Sequence, residues 1–137
     1  MAAPTALSCV VDTNIVSYMF KNNSLAQLYR RHLTGKVMII SFMSVAELDY
    51  WALRRNWGIV RAESLRNYIE RFTLYPFDRD LCRIWAEITD AERRQGRIIS
   101  ISDAWIAATA LINDIPLVTH NRRHFEGIAG LTVISES

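Results

Sequence analysis

The sequence predicts an α/β fold of three layers, α/β/α, around a central, mostly parallel sheet of four to five strands. Three observations carry this. Short apolar runs rich in β-branched residues, such as Ser8-Cys9-Val10-Val11 and Val37-Met38-Ile39-Ile40, alternate along the chain with longer helical stretches. That alternation builds parallel sheets covered on both sides. The runs are apolar at consecutive positions, which is the pattern of strands buried on both faces. Finally, Ile101 to Ile112 reads as a helix that is apolar on nearly every face, and such a helix is buried. With 137 residues, half of them hydrophobic, the chain suits one domain with a real core spanning residues 1–137.

Taken in order, Ser8 to Val11 is the first strand, and Asp12-Thr13-Asn14 leads straight into a helix that starts near Ile15. Asp12 therefore stands at the carboxyl end of a strand, where open α/β sheets bind ligands; alternatively, Asp12 or Thr13 simply caps the helix. Ser24 to Leu33 is a second helix with Leu25, Leu28, Tyr29 and His32 on one side, and Gly35 ends it. Val37 to Ile40 is the second strand. Ser41 or Ser44 opens the next helix, which is expected to reach Trp57-Gly58. Glu47 sits among Met43, Tyr50 and Trp51 on that helical wheel, so it needs a partner: Arg54, Arg55 or a metal ion. Asp49 faces elsewhere, toward solvent.

Ile59 to Phe72 is a mixed helix with an arginine-bearing face, and Leu74 to Phe77 is extended. Asp78 or Asp80 starts a long helix with Leu81, Ile84, Trp85 and Ile88 at helical spacing, ending near Gln95-Gly96. The polar run Arg93 to Arg97 is expected to be exposed and suited to a phosphate backbone. In the central helix, Ser102 is the expected N-cap, which places Asp103 in the first turn, where a negative charge suits the helix dipole. Asn113-Asp114 is a turn, Pro116 to Val118 a short strand, and Thr119 to Phe125 follows its carboxyl end. Gly127 and Gly130 bracket a loop before a last strand, Leu131 to Ile134.

Composition excludes several classes of function. The net charge is only +2, which does not by itself demand a nucleic-acid partner. Arginines dominate, the only lysines being Lys21 and Lys36; the bias favours phosphate recognition, though a GC-rich genome gives the same bias. Cys9 and Cys82 are the only cysteines, and they read as reduced and structural, as in the cytoplasm, with no zinc motif. Met1 to Leu7 lacks the pattern of a signal peptide, no apolar run approaches membrane-spanning length, and there is no glycine-rich phosphate loop.

Three acids stand out: Asp12 after the first strand, Glu47 early in the helix after the second, and Asp103 at the start of the central helix. Asn121 follows a later strand in a similar place. Parallel strands bring their carboxyl ends to one edge, so these groups converge, and converging carboxylates call for a cation. Oxygen ligands suit Mg²⁺, or Mn²⁺ as the alternative. Such an ion activates water and stabilises a phosphodiester transition state.

The stretches Val10-Val11-Asp12-Thr13-Asn14-Ile15, Ser44-Val45-Ala46-Glu47-Leu48, Ser102 to Ala110, and Val118-Thr119-His120-Asn121 through Phe125 resemble, in order, the four signature stretches of PIN domains, and within these the VapC-type toxins of bacterial toxin–antitoxin pairs. The resemblance spans nearly the whole chain. It implies a metal-dependent endoribonuclease of PIN-like fold that leaves a 5′-phosphate and a 3′-hydroxyl. Asp12, Glu47 and Asp103 match the family's acidic site and are the expected Mg²⁺ ligands. Asn121 matches a fourth position that is acidic in many members; being uncharged, it would orient a metal-bound water. Thr119 matches a supporting Ser or Thr. The resemblance further implies an RNA substrate, a cognate antitoxin protein and a homodimer; the lack of a long apolar run leaves no membrane association expected. Trp51, Trp57 and Trp85 are candidates for such an interface, with core packing the other explanation.

Other readings remain open at this level. His120 and His124, four apart, would act as acid and base without metal if they shared a helical face. A non-catalytic RNA-binding or antitoxin-docking module, weakened at Asn121, is another. The metal chemistry does not distinguish RNA from DNA.

Overall fold

Among residues 7–137, which the computed structural model describes, the chain folds into five strands and seven helices. The expectation about Met1 to Leu7 lies, Leu7 apart, outside these residues. In order they are β1 (Ser8–Val11), α1 (Thr13–Lys21), α2 (Ser24–Leu33), β2 (Val37–Ser41), α3 (Phe42–Arg54), α4 (Ile59–Ile69), β3 (Thr73–Tyr75), α5 (Arg79–Arg94), α6 (Ile101–Asn113), β4 (Leu117–Val118), α7 (Arg122–Phe125) and β5 (Val133–Ile134). The strands lie side by side as β3-β2-β1-β4-β5, and every neighbouring pair is parallel. The sheet thus has the upper of the expected strand counts and no antiparallel member.

β1 is the middle strand, with Val10 level with Ile39 of β2 and Leu117 of β4. Successive side chains of a strand point to opposite faces, so β1 feeds two cores. Val10 packs with Leu81 and Ile88 of α5 and with Ala104, Ala107 and Ala108 of α6. Cys9 and Val11 pack with Ile15, Tyr29, Leu48 and Leu65, on α1 to α4. Leu117 and Val118 of β4 divide the same way. Helices therefore cover both faces, as the consecutive apolar runs required.

Helix α6 is buried from Ala104 through Ala110 except at Trp105, which is partly exposed. Its alanines let it approach the sheet and α5 closely. Its one buried hydroxyl, Thr109, donates to the carbonyl of Trp105 at 2.9 Å, which removes the penalty of an unpaired polar group.

Several boundaries differ from the sequence reading. Helix α6 starts at Ile101, and its N-cap is Ser100 rather than Ser102: Ser100 Oγ accepts from the amide of Asp103 at 3.1 Å. Both serines are suitable caps, and only Ser100 has the extended backbone that the position requires. Helix α3 stops at Arg54, short of Trp57, because Asn56 adopts a left-handed backbone and the Trp57 amide returns to the Ala52 carbonyl. Strand β3 ends at Tyr75, before Pro76, and β5 is confined to Val133–Ile134. The segment after β4 contains the one-turn helix α7, which had no pattern long enough to read.

The chain leaves β1 toward β2 on one side, while β4 flanks β1 on the other. The switch in strand order thus falls between β1 and β4, the place where doubly wound sheets open a crevice at the carboxyl ends of their strands.

The tight seat of α6 gives a test. Ala107→Leu inserts a branched side chain into a fully buried position and is expected to destabilise the fold by about 1–3 kcal/mol in urea unfolding.

Candidate functional site

Asp12 stands directly beyond β1, and its backbone amide donates to the carbonyl of Val118 in β4. It is 4% exposed. Its Oδ1 accepts from the Thr13 amide at 2.7 Å, and its Oδ2 from the Thr119 hydroxyl at 2.6 Å. The two readings of Asp12 therefore both hold: it caps α1 and it faces the crevice. Burial raises its pKa to about 6. The Thr119 hydroxyl opposes that rise, the neighbouring Asp103 charge adds to it, the Thr13 amide opposes it, and Glu47 adds a smaller increment.

Glu47 lies on α3 beside α1. Its Oε1 is 2.6 Å from the Thr13 hydroxyl, which is also 2.8 Å from Ser44 Oγ. The hydroxyl has one proton, and a carboxylate is the stronger acceptor, so Thr13 donates to Glu47. The protein partner of Glu47 is therefore Thr13 and not Arg54 or Arg55. Asp49 is exposed, as expected. Asp103, in the first turn of α6, places Oδ2 2.9 Å from His124 Nδ1. Asn121 opens α7 without a side-chain cap bond, and its amide donates to the Thr119 hydroxyl oxygen at 3.0 Å. Thr119 thereby ties Asp12 to Asn121.

Asp12, Glu47, Asp103 and Asn121 all line one cleft of about 550 Å³. The sequence reading did not single out Lys21 on α1, Tyr50 on α3 or Ser100 as parts of it. A signal was present: Glu47, Tyr50, Trp51 and Arg54 follow at helical spacing and share one face, as do Asn14, Ser17 and Lys21.

His120 does not line the cleft: its Nδ1 is 2.5 Å from the Tyr29 hydroxyl, and its ring stands edge-on to Tyr18 and Tyr29. It also precedes α7, so it shares no helical face with His124. Arg93, Arg94 and Arg97 are exposed, as expected, and are drawn into ion pairs with Asp90 and Glu92. Trp51 and Trp57 pack on each other and on Phe20, and Trp85 stacks on Trp105. His32 is at the core edge, paired with Glu136.

The cleft's donors are oxygens on carboxylates, which suits a hard divalent cation. The buried carboxamide oxygen of Asn14, at the same cleft, has no hydrogen-bond partner among the described residues; a bound water would satisfy it. Among the described residues, no three acidic, histidine or cysteine side chains already form a closed metal-binding set. Mg²⁺ does not need one, because it keeps several waters and is held by one or two carboxylates plus substrate oxygens. The residues therefore fit such an ion.

The PIN domain model matches residues 9–131. The chain is 30% identical over 125 residues to Ribonuclease VapC2 of Haemophilus influenzae, a match spanning 91% of this chain and 95% of the relative. A solved VapBC-1 structure from nontypeable Haemophilus influenzae superposes with a TM-score of 0.78 at 27% identity, covering 93% of this chain and 97% of that one. VapBC2 from Rickettsia felis, bound to a DNA fragment from its promoter, shares the fold with a TM-score of 0.83 at 23% identity, covering 95% and 99%.

The buried carboxylate has a measurable consequence for stability. Asp12 holds its proton more tightly when folded than at the usual 3.8. Its contribution is therefore fully present below about pH 4 and is lost as pH rises through about 6. The full effect is on the order of 3 kcal/mol. Asp12→Asn removes the charge and weakens one hydrogen bond, so a net gain of about 1–2 kcal/mol is expected near neutral pH without divalent metal, shrinking toward pH 4. Calorimetry of both proteins across that range checks it.

Proposed function

Because the chain belongs to the PIN domain family and, within it, to the VapC-type proteins, we propose that it is a Mg²⁺- or Mn²⁺-dependent endoribonuclease, the toxin of a toxin–antitoxin pair. One observation carries the reading. Acids from the end of β1, from α3 and from α6 share a cleft at the switch point of the sheet, beside Asn121. The name of the Haemophilus relative, a ribonuclease, favours RNA over DNA as substrate.

In this reading Asp12 and Asp103 hold the ion, with Glu47 beside them. When bound, Mg²⁺ lowers the pKa of a coordinated water and neutralises charge that builds on the phosphoryl oxygens. The chain's own residues do the rest. The Thr13 amide and Thr119 hydroxyl fix both oxygens of Asp12, so the carboxylate is oriented before substrate arrives. Thr13 holds Glu47 Oε1, leaving Oε2 to take the proton of the attacking water. His124 steadies Asp103. Asn121 offers a neutral amide at the cleft edge to orient that water. Attack in line breaks the P–O3′ bond, and the leaving O3′ takes a proton from solvent, which gives a 5′-phosphate and a 3′-hydroxyl.

An antitoxin that covers this cleft would silence the enzyme, and the VapBC structures support such a partner. A homodimer fits the exposed apolar side chains Phe77 and Ile101 beside the Phe42–Trp105–Trp85 ring ladder. The proposed location is the cytoplasm; no described helix is long and apolar enough to cross a membrane. A non-catalytic RNA-binding or antitoxin-docking module is the second reading, favoured by the neutral Asn121 at the fourth position of the cleft. Metal-free catalysis by a histidine pair loses its geometric basis, since His120 is bonded to Tyr29.

Purified protein is expected to cut RNA with Mg²⁺ or Mn²⁺ and to stop in EDTA, with end mapping giving 5′-phosphates. Asp12→Asn and Asp103→Asn should each lower the rate by at least about a hundredfold, and Asn121→Ala by about tenfold. Mg²⁺ should also raise the melting temperature of the parent more than that of Asp12→Asn. Full activity of either aspartate variant, or undiminished cutting in EDTA, would falsify the reading.

A further inference from the structure

The acids occupy only one end of the cleft. From Glu47 the same face of α3 continues through Tyr50 and Trp51 to Arg54, roughly 10 Å along the helix axis. Facing it, α1 runs from Asn14 to Lys21 over a similar distance. The two walls end in cations, Arg54 on α3 and Lys21 on α1, and Arg54 has no ion pair among the described residues. Lys21 lies 5.1 Å from the centre of the Trp51 ring, so the side of Trp51 that it covers is already occupied. Tyr50 differs. It is 63% exposed, and no ring, cation or hydrogen-bond partner engages it among the described residues. A large aromatic left open on the wall of an acid-floored cleft has no packing role to explain it.

We propose that Tyr50 is the stacking platform for the base next to the scissile phosphate, with Lys21 and Arg54 contacting the backbone phosphate beyond it. This rests on the ribonuclease reading and adds a substrate-positioning subsite to it. Three features favour a nucleotide as occupant. Every base has a π face, so a single open ring stacks without regard to sequence. Two cations at the outer end match the phosphates that flank a cut, while the acids at the inner end need a cation of their own before a phosphate can approach. Asp12, at the floor, is 4% exposed whereas Tyr50 is open, so the strand must leave solvent to reach the acids. A base splayed out of a helix can lie against Tyr50; one stacked within a duplex cannot.

The test is fluorescence anisotropy with a short fluorescein-labelled single-stranded RNA of mixed sequence, in Mg²⁺, on the Asp12→Asn background to prevent cutting. Tyr50→Leu should weaken binding about tenfold, and Tyr50→Phe should keep it within about twofold. Lys21→Gln and Arg54→Gln should each flatten the plot of log affinity against log salt by about 0.7. With Asp12 restored, Tyr50→Leu should raise KM more than it lowers kcat. Unchanged affinity in Tyr50→Leu overturns the subsite and leaves this wall to a protein partner. Equal loss in Tyr50→Phe and Tyr50→Leu overturns stacking in favour of the hydroxyl. No measurable RNA binding by the Asp12→Asn protein overturns it as well. If the parent cuts RNA while Tyr50→Leu binds and cuts equally well, the subsite alone fails; if the parent cuts nothing in either Mg²⁺ or Mn²⁺, the ribonuclease reading fails first.

Discussion

Removing the Asp12 carboxylate from water at the centre of the sheet is the constraint around which the site is arranged. A buried carboxylate is costly unless it is hydrogen-bonded or neutralised. Here two donors reach it, one from the next residue and one from the far side of the switch point. They do not cancel the penalty, since its pKa still stands near 6. Two further acids face the same space and push it in the same direction. The protein holds this arrangement against its own stability. Such a distribution has a physical purpose where a cation arrives to complete it, because repulsion among the acids strengthens the binding of a divalent ion.

The neighbours of the acids are chosen accordingly. Thr13 and Thr119 are neutral donors and His124 is the only ionisable one, so two of the three acids are held by groups that add no charge to the site. A lysine or arginine in their place would have neutralised each carboxylate outright. Arg54 lies on the same wall as Glu47 yet forms no ion pair with it; the threonine does that work at 2.6 Å. Neutral donors orient the acids and leave their charge available.

Much of this was legible in the sequence because the fold is written in two periods. Consecutive apolar residues at Cys9-Val10-Val11 and at Met38-Ile39-Ile40 require two covered faces, and the structure divides them alternately between two cores. The placement of Asp12 after a strand and Asp103 near a helix start followed from the same pattern. What was hidden depends on contacts across the chain. Thr13 as the partner of Glu47 joins residues 34 apart, and Thr119 as the clasp on Asp12 joins residues 107 apart. The choice between Ser100 and Ser102 as cap was hidden for a local reason: both are good caps, and only the backbone angle separates them. His120 and His124 misled through spacing, since four apart means one face only inside a helix, and α7 begins at Arg122.

The cleft is therefore polar along its length as well as acidic at its floor. A uniformly acidic groove would repel a polyanion, and a uniformly basic one would hold it without cutting. Helical periodicity resolves the conflict within two helices. On α3, Glu47 and Arg54 are two turns apart and face the same space, so one element supplies an acid at the inner end of the cleft and a cation at the outer end. On α1, the cap residue Asp12 and the last residue Lys21 repeat the arrangement. Both cations also sit in the last turn of their helices, where the dipole favours positive charge. The helix direction that stabilises these cations is the one that parallel strands impose, since each helix departs from the carboxyl edge where the acids gather. Charge separation along the cleft thus follows from the fold itself, and the residues along that face, Tyr50 first among them, are where differences in substrate preference between such proteins should be sought.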